Sequence, residues 1–145
     1  MGDLSKDINS KFTNVKDKAL INILYTANWI SHFQIEFFKP YGISPQQYNI
    51  LRILKGSKEA LKVQTIKERM IERSPNATRL MDKLYGKQLI ERFACADDRR
   101  VVYIKITVNG TQLLGSISQD FNQALLKNIN ETEAEQLSNL LDKMR

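Results

Sequence analysis

The chain of 145 residues is 42% apolar and 26% charged, with a formal net charge of +6 at pH 7, figures ordinary for one soluble globular domain. No stretch approaches the ~20 apolar residues of a membrane span, and the polar first 18 residues lack the apolar core of a secretory signal. The one cysteine, Cys95, rules out an internal disulfide and fits a reducing compartment, so a cytoplasmic protein without membrane contact is expected.

In chain order, Leu4, Ile8, Phe12 and Val15 recur at helical spacing. The pattern runs on through Leu20, Ile23, Leu24, Ala27 and Ile30 to Phe37 and Phe38, as one long helix or two in series. Pro40 and Gly42 stop it. Ser44, Pro45 and Gln47 then form a capping-box start for a helix carrying Tyr48, Leu51, Ile53 and Leu54. A shorter helix covers about Val63 to Met70 and lacks a good cap, since Lys62 and Val63 stand where Ser or Thr would be expected. The Ser-Pro start repeats at Ser74 and Pro75, which predicts a helix from Ser74 to about Lys87. Ala77, Leu80, Met81 and Leu84 make its inward face, and Asn76, Thr78, Arg79, Asp82 and Lys83 its outward face.

From Glu91 the period changes to two. Phe93 and Cys95 alternate with their neighbours, as do Val102, Ile104 and Ile106, and "ADDRR" between them reads as the charged tip of a hairpin. Thr107 is expected to cap the helix that carries Leu113, Leu114, Ile117 and Phe121. A last helix opens at Asn130, with Glu133 closing another capping box ahead of Leu137, Leu140, Leu141 and Met144. The fold class is therefore mainly α with a small β-hairpin wing: a winged helix-turn-helix flanked by N- and C-terminal helices.

The runs "ISPQQYNILRIL", "TIKERM", "SPNATRLMDKLYGKQLIER" and "DDRRVVYIKITVNGTQLL" resemble the MarR family of transcription regulators, most strongly over 43–114. The resemblance implies a single domain over 1–145, with about 1–40 and 111–145 as dimerisation helices and about 43–110 as a DNA-binding lobe. It further implies a homodimer that puts a recognition helix, Ser74 to about Lys87, in the major groove and the wing in or along the minor groove. Arg100 matches the family's groove-reading arginine, Asp98 the acid that braces the wing, and Arg99 a variable, often basic position. Two departures stand out. Gln88 replaces the glycine expected just before the Leu89-Ile90 pair, with Gly86 two residues earlier, and no cysteine stands near the N-terminus, where peroxide-sensing members carry one.

The residues support a matching chemistry. Positive charge is densest over residues 62–100, with 10 Lys/Arg against 6 Asp/Glu, a footprint that suits a polyanion. Ser74, Asn76, Thr78, Arg79 and Lys83 could bind phosphate and base edges, although a solvated helix face would look similar. Arg99 and Arg100 could enter a narrow minor groove, where the bland alternative is a turn with local Asp–Arg pairs. Trp29, His32, Phe33 and Tyr48 are candidates to line a pocket for a small aromatic or apolar acid effector, as the resemblance implies, with core packing as the alternative for the aromatics. Cys95 could serve a redox switch or be a small apolar strand residue. No phosphate loop, catalytic triad or metal-ligand spacing appears in the sequence, so neither an enzyme nor a cofactor or metal is expected. The expected function is a ligand-responsive repressor that binds double-stranded DNA at a pseudo-palindromic promoter site. Its rivals are a redox-sensing regulator using Cys95 and a winged-helix protein–protein interaction module.

Overall fold

The computed structural model describes residues 2–117 and 120–145. Its elements are α1 (Leu4–Asp7), α2 (Val15–Phe38), a 3-10 turn (Lys39–Tyr41), α3 (Pro45–Lys55), β1 (Leu61–Lys62), α4 (Val63–Arg69), α5 (Ala77–Gly86), β2 (Ile90–Ala94), β3 (Val102–Ile106), α6 (Val108–Ser116), α7 (Asp120–Leu126) and α8 (Glu131–Lys143). The chain thus has a mainly helical winged-helix architecture. It divides into two compact units, 1–33 with 119–145, and 34–118.

In the first unit the N-terminal helical pattern resolves into two helices in series. Asn9 takes a left-handed φ of 49° between them, which a short polar side chain tolerates. Leu4 and Phe121 are buried, and the rings of Phe33 and Phe121 lie 5.8 Å apart. Asn130 and Glu133 cap α8 reciprocally, each side chain accepting the other's backbone N–H at 2.9 Å.

The second unit is built around α3. Ser44 and Gln47 close the expected box, with Gln47 N–H donating to Ser44 Oγ at 3.1 Å and Ser44 N–H to Gln47 Oε1 at 2.9 Å. Gln47 is buried, and its Nε2 also reaches the Leu80 carbonyl of α5 at 3.4 Å, so one side chain caps α3 and ties it to α5. Ile50, Leu51, Ile66, Ala77, Leu84, Ile90 and Ile104 fill the core from α3, α4, α5 and the sheet. The sheet has three strands in the order β1-β3-β2, all antiparallel. The hairpin pairs Ile90 with Ile106 and Ala94 with Val102, while the two-residue β1 pairs Leu61 with Ile104 and was not anticipated.

A junction fixes the hairpin against α5. The helix ends in a Schellman motif: Leu89 N–H donates to Leu84 O at 3.0 Å and Gln88 N–H to Tyr85 O at 2.9 Å. Gln88 takes the left-handed position, φ 60°, that glycine would occupy without strain. Thr107 Oγ1 donates to Gln88 O at 2.7 Å and accepts Gly110 N–H at 3.0 Å, capping α6, and Thr107 N–H donates to Leu89 O at 3.1 Å. A Cβ on Gly110 would stand 2.3 Å from Leu89 O and 2.7 Å from Ile106 Cγ1, so only glycine fits. Gly110→Ala should therefore lower the unfolding free energy by about 1–3 kcal/mol. Gln88→Gly should raise it by roughly 0.5–1 kcal/mol, the relief of left-handed strain less the entropy glycine loses on folding. Urea denaturation of both variants checks the pair of opposite signs.

Candidate nucleic-acid interface

The outward helix begins later than its Ser-Pro signal predicts. α5 starts at Ala77, because Ser74 Oγ accepts the N–H of Asn76 at 3.1 Å in a local turn instead of capping. Asn76 becomes the N-cap without a side-chain cap bond. Ala77, Met81 and Leu84 are buried, while Asn76, Thr78, Arg79 and Lys83 are exposed on the opposite side, and Ser74 is half-buried before them. Asp82 also faces outward, but its carboxylate pairs with Arg92 Nη2 from β2, and the Arg92 guanidinium lies 4.7 Å over the Tyr85 ring. The acid of this face is thus satisfied from the wing strand. Arg79 and Lys83 have no ion pair among the described residues.

The wing tip, residues 95–101, closes by Cys95 N–H donating to Val101 O at 2.9 Å and Val101 N–H to Asp98 O at 3.0 Å. Asp98 Oδ1 accepts both the backbone N–H of Arg100, at 3.0 Å, and its Nε–H, at 3.2 Å. One carboxylate oxygen therefore sets the turn and the arginine stem together. The Arg100 side chain is still 92% exposed, and its four Nη hydrogens remain for an outside acceptor. Arg99 is exposed beside it and has no ion pair among the described residues. Helix and wing belong to the same compact unit, so the two cationic features are presented together.

Residues 43–102 match the MarR family model. The chain is 29% identical to the HTH-type transcriptional regulator MhqR of Bacillus subtilis over 109 residues, 72% of this chain and 73% of that protein. It is 27% identical to the multiple antibiotic resistance protein MarR of Escherichia coli over 113 residues, 75% of this chain and 78% of that one. A cysteine-to-serine mutant of that MarR, solved with operator DNA, superposes with a TM-score of 0.73 over 99% of both chains at 24% identity, a likeness of fold. The chain is thus similar to the MarR family over residues 43–102.

The remaining candidates are distributed differently from the helix and wing. Trp29 and His32 are exposed and Phe33 half-buried in the first unit, with the Trp29 and Phe33 rings 6.4 Å apart. Tyr48 lies in the second unit, stacked on Phe38 with centroids 4.4 Å apart. Sequence patterning missed two side chains that shape this lobe. Arg92 locks α5 to β2, and Lys87 Nζ donates to the Gly42 carbonyl. Neither contact leaves a local signal, because each depends on a tertiary register.

Cys95 is half-buried at the wing base. Its thiol pKa lies below the ordinary value because the backbone amides of Asp98 and then Asp97 hydrogen-bond the sulfur, with a smaller contribution from the Lys62 charge and opposed by burial. A lowered pKa favours thiolate in the folded state, so alkylation by iodoacetamide should reach half its limiting rate at a lower pH in the native protein than in the urea-unfolded chain. Coincident midpoints would show that the amides do not act on the sulfur.

Proposed function

We propose that this chain is a homodimeric transcription regulator of the MarR family, acting in the cytoplasm. In this reading it binds double-stranded DNA at a pseudo-palindromic promoter site and represses by occluding polymerase. The observation that carries the reading is the pairing of two outward cationic features in one unit. α5 presents Asn76, Thr78, Arg79 and Lys83, and the wing presents Arg100 on a stem set by Asp98. The E. coli relative's complex with operator DNA supports the same use of this fold. Arg79 suits paired hydrogen bonds to guanine, and Asn76 to adenine, in the major groove. Arg100 suits a narrow minor groove, whose negative potential attracts guanidinium. Arg99 adds phosphate attraction without sequence content.

Dimerisation has its own support. Val15, Leu20, Ile21, Leu24, Tyr25 and Trp29 are exposed along α2, Leu137 and Leu140 along α8 and Met144 at its C-cap, with Val15 84% and Leu140 62% exposed. Soluble monomers rarely leave so much large apolar surface on helices uncovered. A second copy that buries these faces would set two recognition helices about one helical turn apart on DNA.

A mobility shift on the promoter beside the chain's own gene tests both halves of the reading. Arg100→Ala should lose about 1–3 kcal/mol of operator binding while staying dimeric. Leu24→Glu with Leu140→Glu should sediment as a monomer and bind the operator far more weakly. Failure of the wild type to retard any duplex at low salt would favour a protein–protein module instead.

A further inference from the structure

α2 is one continuous helix from Val15 to Phe38, and its residues 34–38 belong to the second unit. Aromatic packing holds its end there. Phe38 is fully buried, and its ring stacks on Tyr48 of α3 with centroids 4.4 Å apart. α3 in turn grips α5, since Gln47 Nε2 donates to the Leu80 carbonyl at 3.4 Å. The end of α2 is thus joined to α5 by way of α3.

A second tie bypasses α3. After the 3-10 turn at Lys39–Tyr41, Gly42 takes a left-handed φ of 69°, a conformation that costs glycine little. Its carbonyl accepts a hydrogen bond from Lys87 Nζ, and Lys87 is the C-cap residue of α5. A Cβ on Gly42 would lie 3.3 Å from that Nζ, so another residue there would be strained and would crowd the ammonium. Leu80 and Lys87 stand about two helical turns apart. The apolar packing beneath α5 is non-directional. Two hydrogen bonds two turns apart add direction, setting both the axial position and the angle of the helix.

We propose that Lys87 is a positioning residue: by holding Gly42 it fixes α5 against the end of α2, and so sets the separation of the two recognition helices in the dimer. The assignment rests on the homodimeric DNA-binding reading above. In that reading the α2 helices of both copies meet in the dimer, so the end of each α2 is the origin from which its α5 is placed. A loosened α5 still enters a major groove, but the pair no longer demands one spacing. Lys87 therefore governs tolerance of half-site spacing rather than choice of bases.

The test is operator binding by K87M across a spacing series, beside wild type and K87R. Methionine keeps the apolar stem and removes the donor, while arginine keeps a donor long enough to reach the carbonyl. One base pair added or removed between half-sites turns one against the other by ~34° and moves it by ~3.4 Å. K87M should bind the natural operator about three- to tenfold more weakly, the scale of one hydrogen bond. Its penalty for a changed spacing should be smaller than that of wild type by a similar factor. A duplex with a single half-site should bind K87M and wild type alike, and K87R should restore the wild-type spacing preference. A spacing penalty in K87M equal to that of wild type overturns the proposal while leaving DNA binding intact. So does an equal loss on every duplex, single half-site included, with a salt slope shallower by about one unit, which would make Lys87 a phosphate contact. Wild-type protein that binds no duplex at all would overturn the underlying reading as well.

Discussion

The second unit depends on one crowded junction, where the end of α5, the end of β3 and the start of α6 meet through Thr107 and Gly110. The Thr107 hydroxyl donates to Gln88 O and accepts from Gly110 N–H, while Leu89 O takes the Thr107 amide and packs where any Cβ on residue 110 would collide. A hydroxyl that is both donor and acceptor has little freedom to rotate. The left-handed turn at Gln88 then sends the chain straight into β2. The hairpin therefore cannot pivot about α5 without breaking several hydrogen bonds at once. The proposed reading, a helix in one groove and a hairpin in the next, needs this rigidity, because small errors in relative angle displace the wing tip far more than its base.

Charge is distributed in a way that follows from that geometry. Arg92 and Lys87 are spent inside the unit, on Asp82 with Tyr85 and on the Gly42 carbonyl. Neutralising Asp82 from β2 removes the one acid that would repel phosphate on the outward face of α5, and it adds a second tie between helix and wing. Each exposed ion pair of this kind is worth only ~0–1 kcal/mol, so its consequence lies in orientation more than stability. At the tip, Asp98 aligns Arg100 through its Nε and backbone N–H, leaving the Nη edge outward. The same acid that dilutes the local positive charge thus fixes the direction of the arginine.

What could be read from the sequence was whatever is local. The boxes at Ser44 with Gln47 and at Asn130 with Glu133 involve partners three residues apart, and the alternation around Ile104 needs only neighbours. The cap at Thr107 belongs to the same class. The Ser-Pro start at Ser74 misled because it copies the one at Ser44 without its reciprocal partner. Three residues on stands Ala77 rather than a glutamine, so nothing returns a bond to the Ser74 amide, and the serine turns back onto Asn76 instead. β1 is two residues long and has no period to detect, existing only because Leu61 meets Ile104. The family match at residues 43–102 covers the legible helices and the wing as far as the first residue of β3. The use of Arg92 between α5 and β2 was hidden, since ten residues and a reversal of the chain separate it from Asp82.

The account's central claim is that α5 and the wing read two different grooves as one body. Dimethyl sulfate protection on the bound promoter tests it most directly, because the reagent reports guanine N7 in the major groove and adenine N3 in the minor groove in one experiment. The account predicts two half-sites about one helical turn apart, each with protected guanine N7 at its centre and protected adenine N3 on its flank. Protection confined to a single groove, or without the twofold repeat, would contradict it.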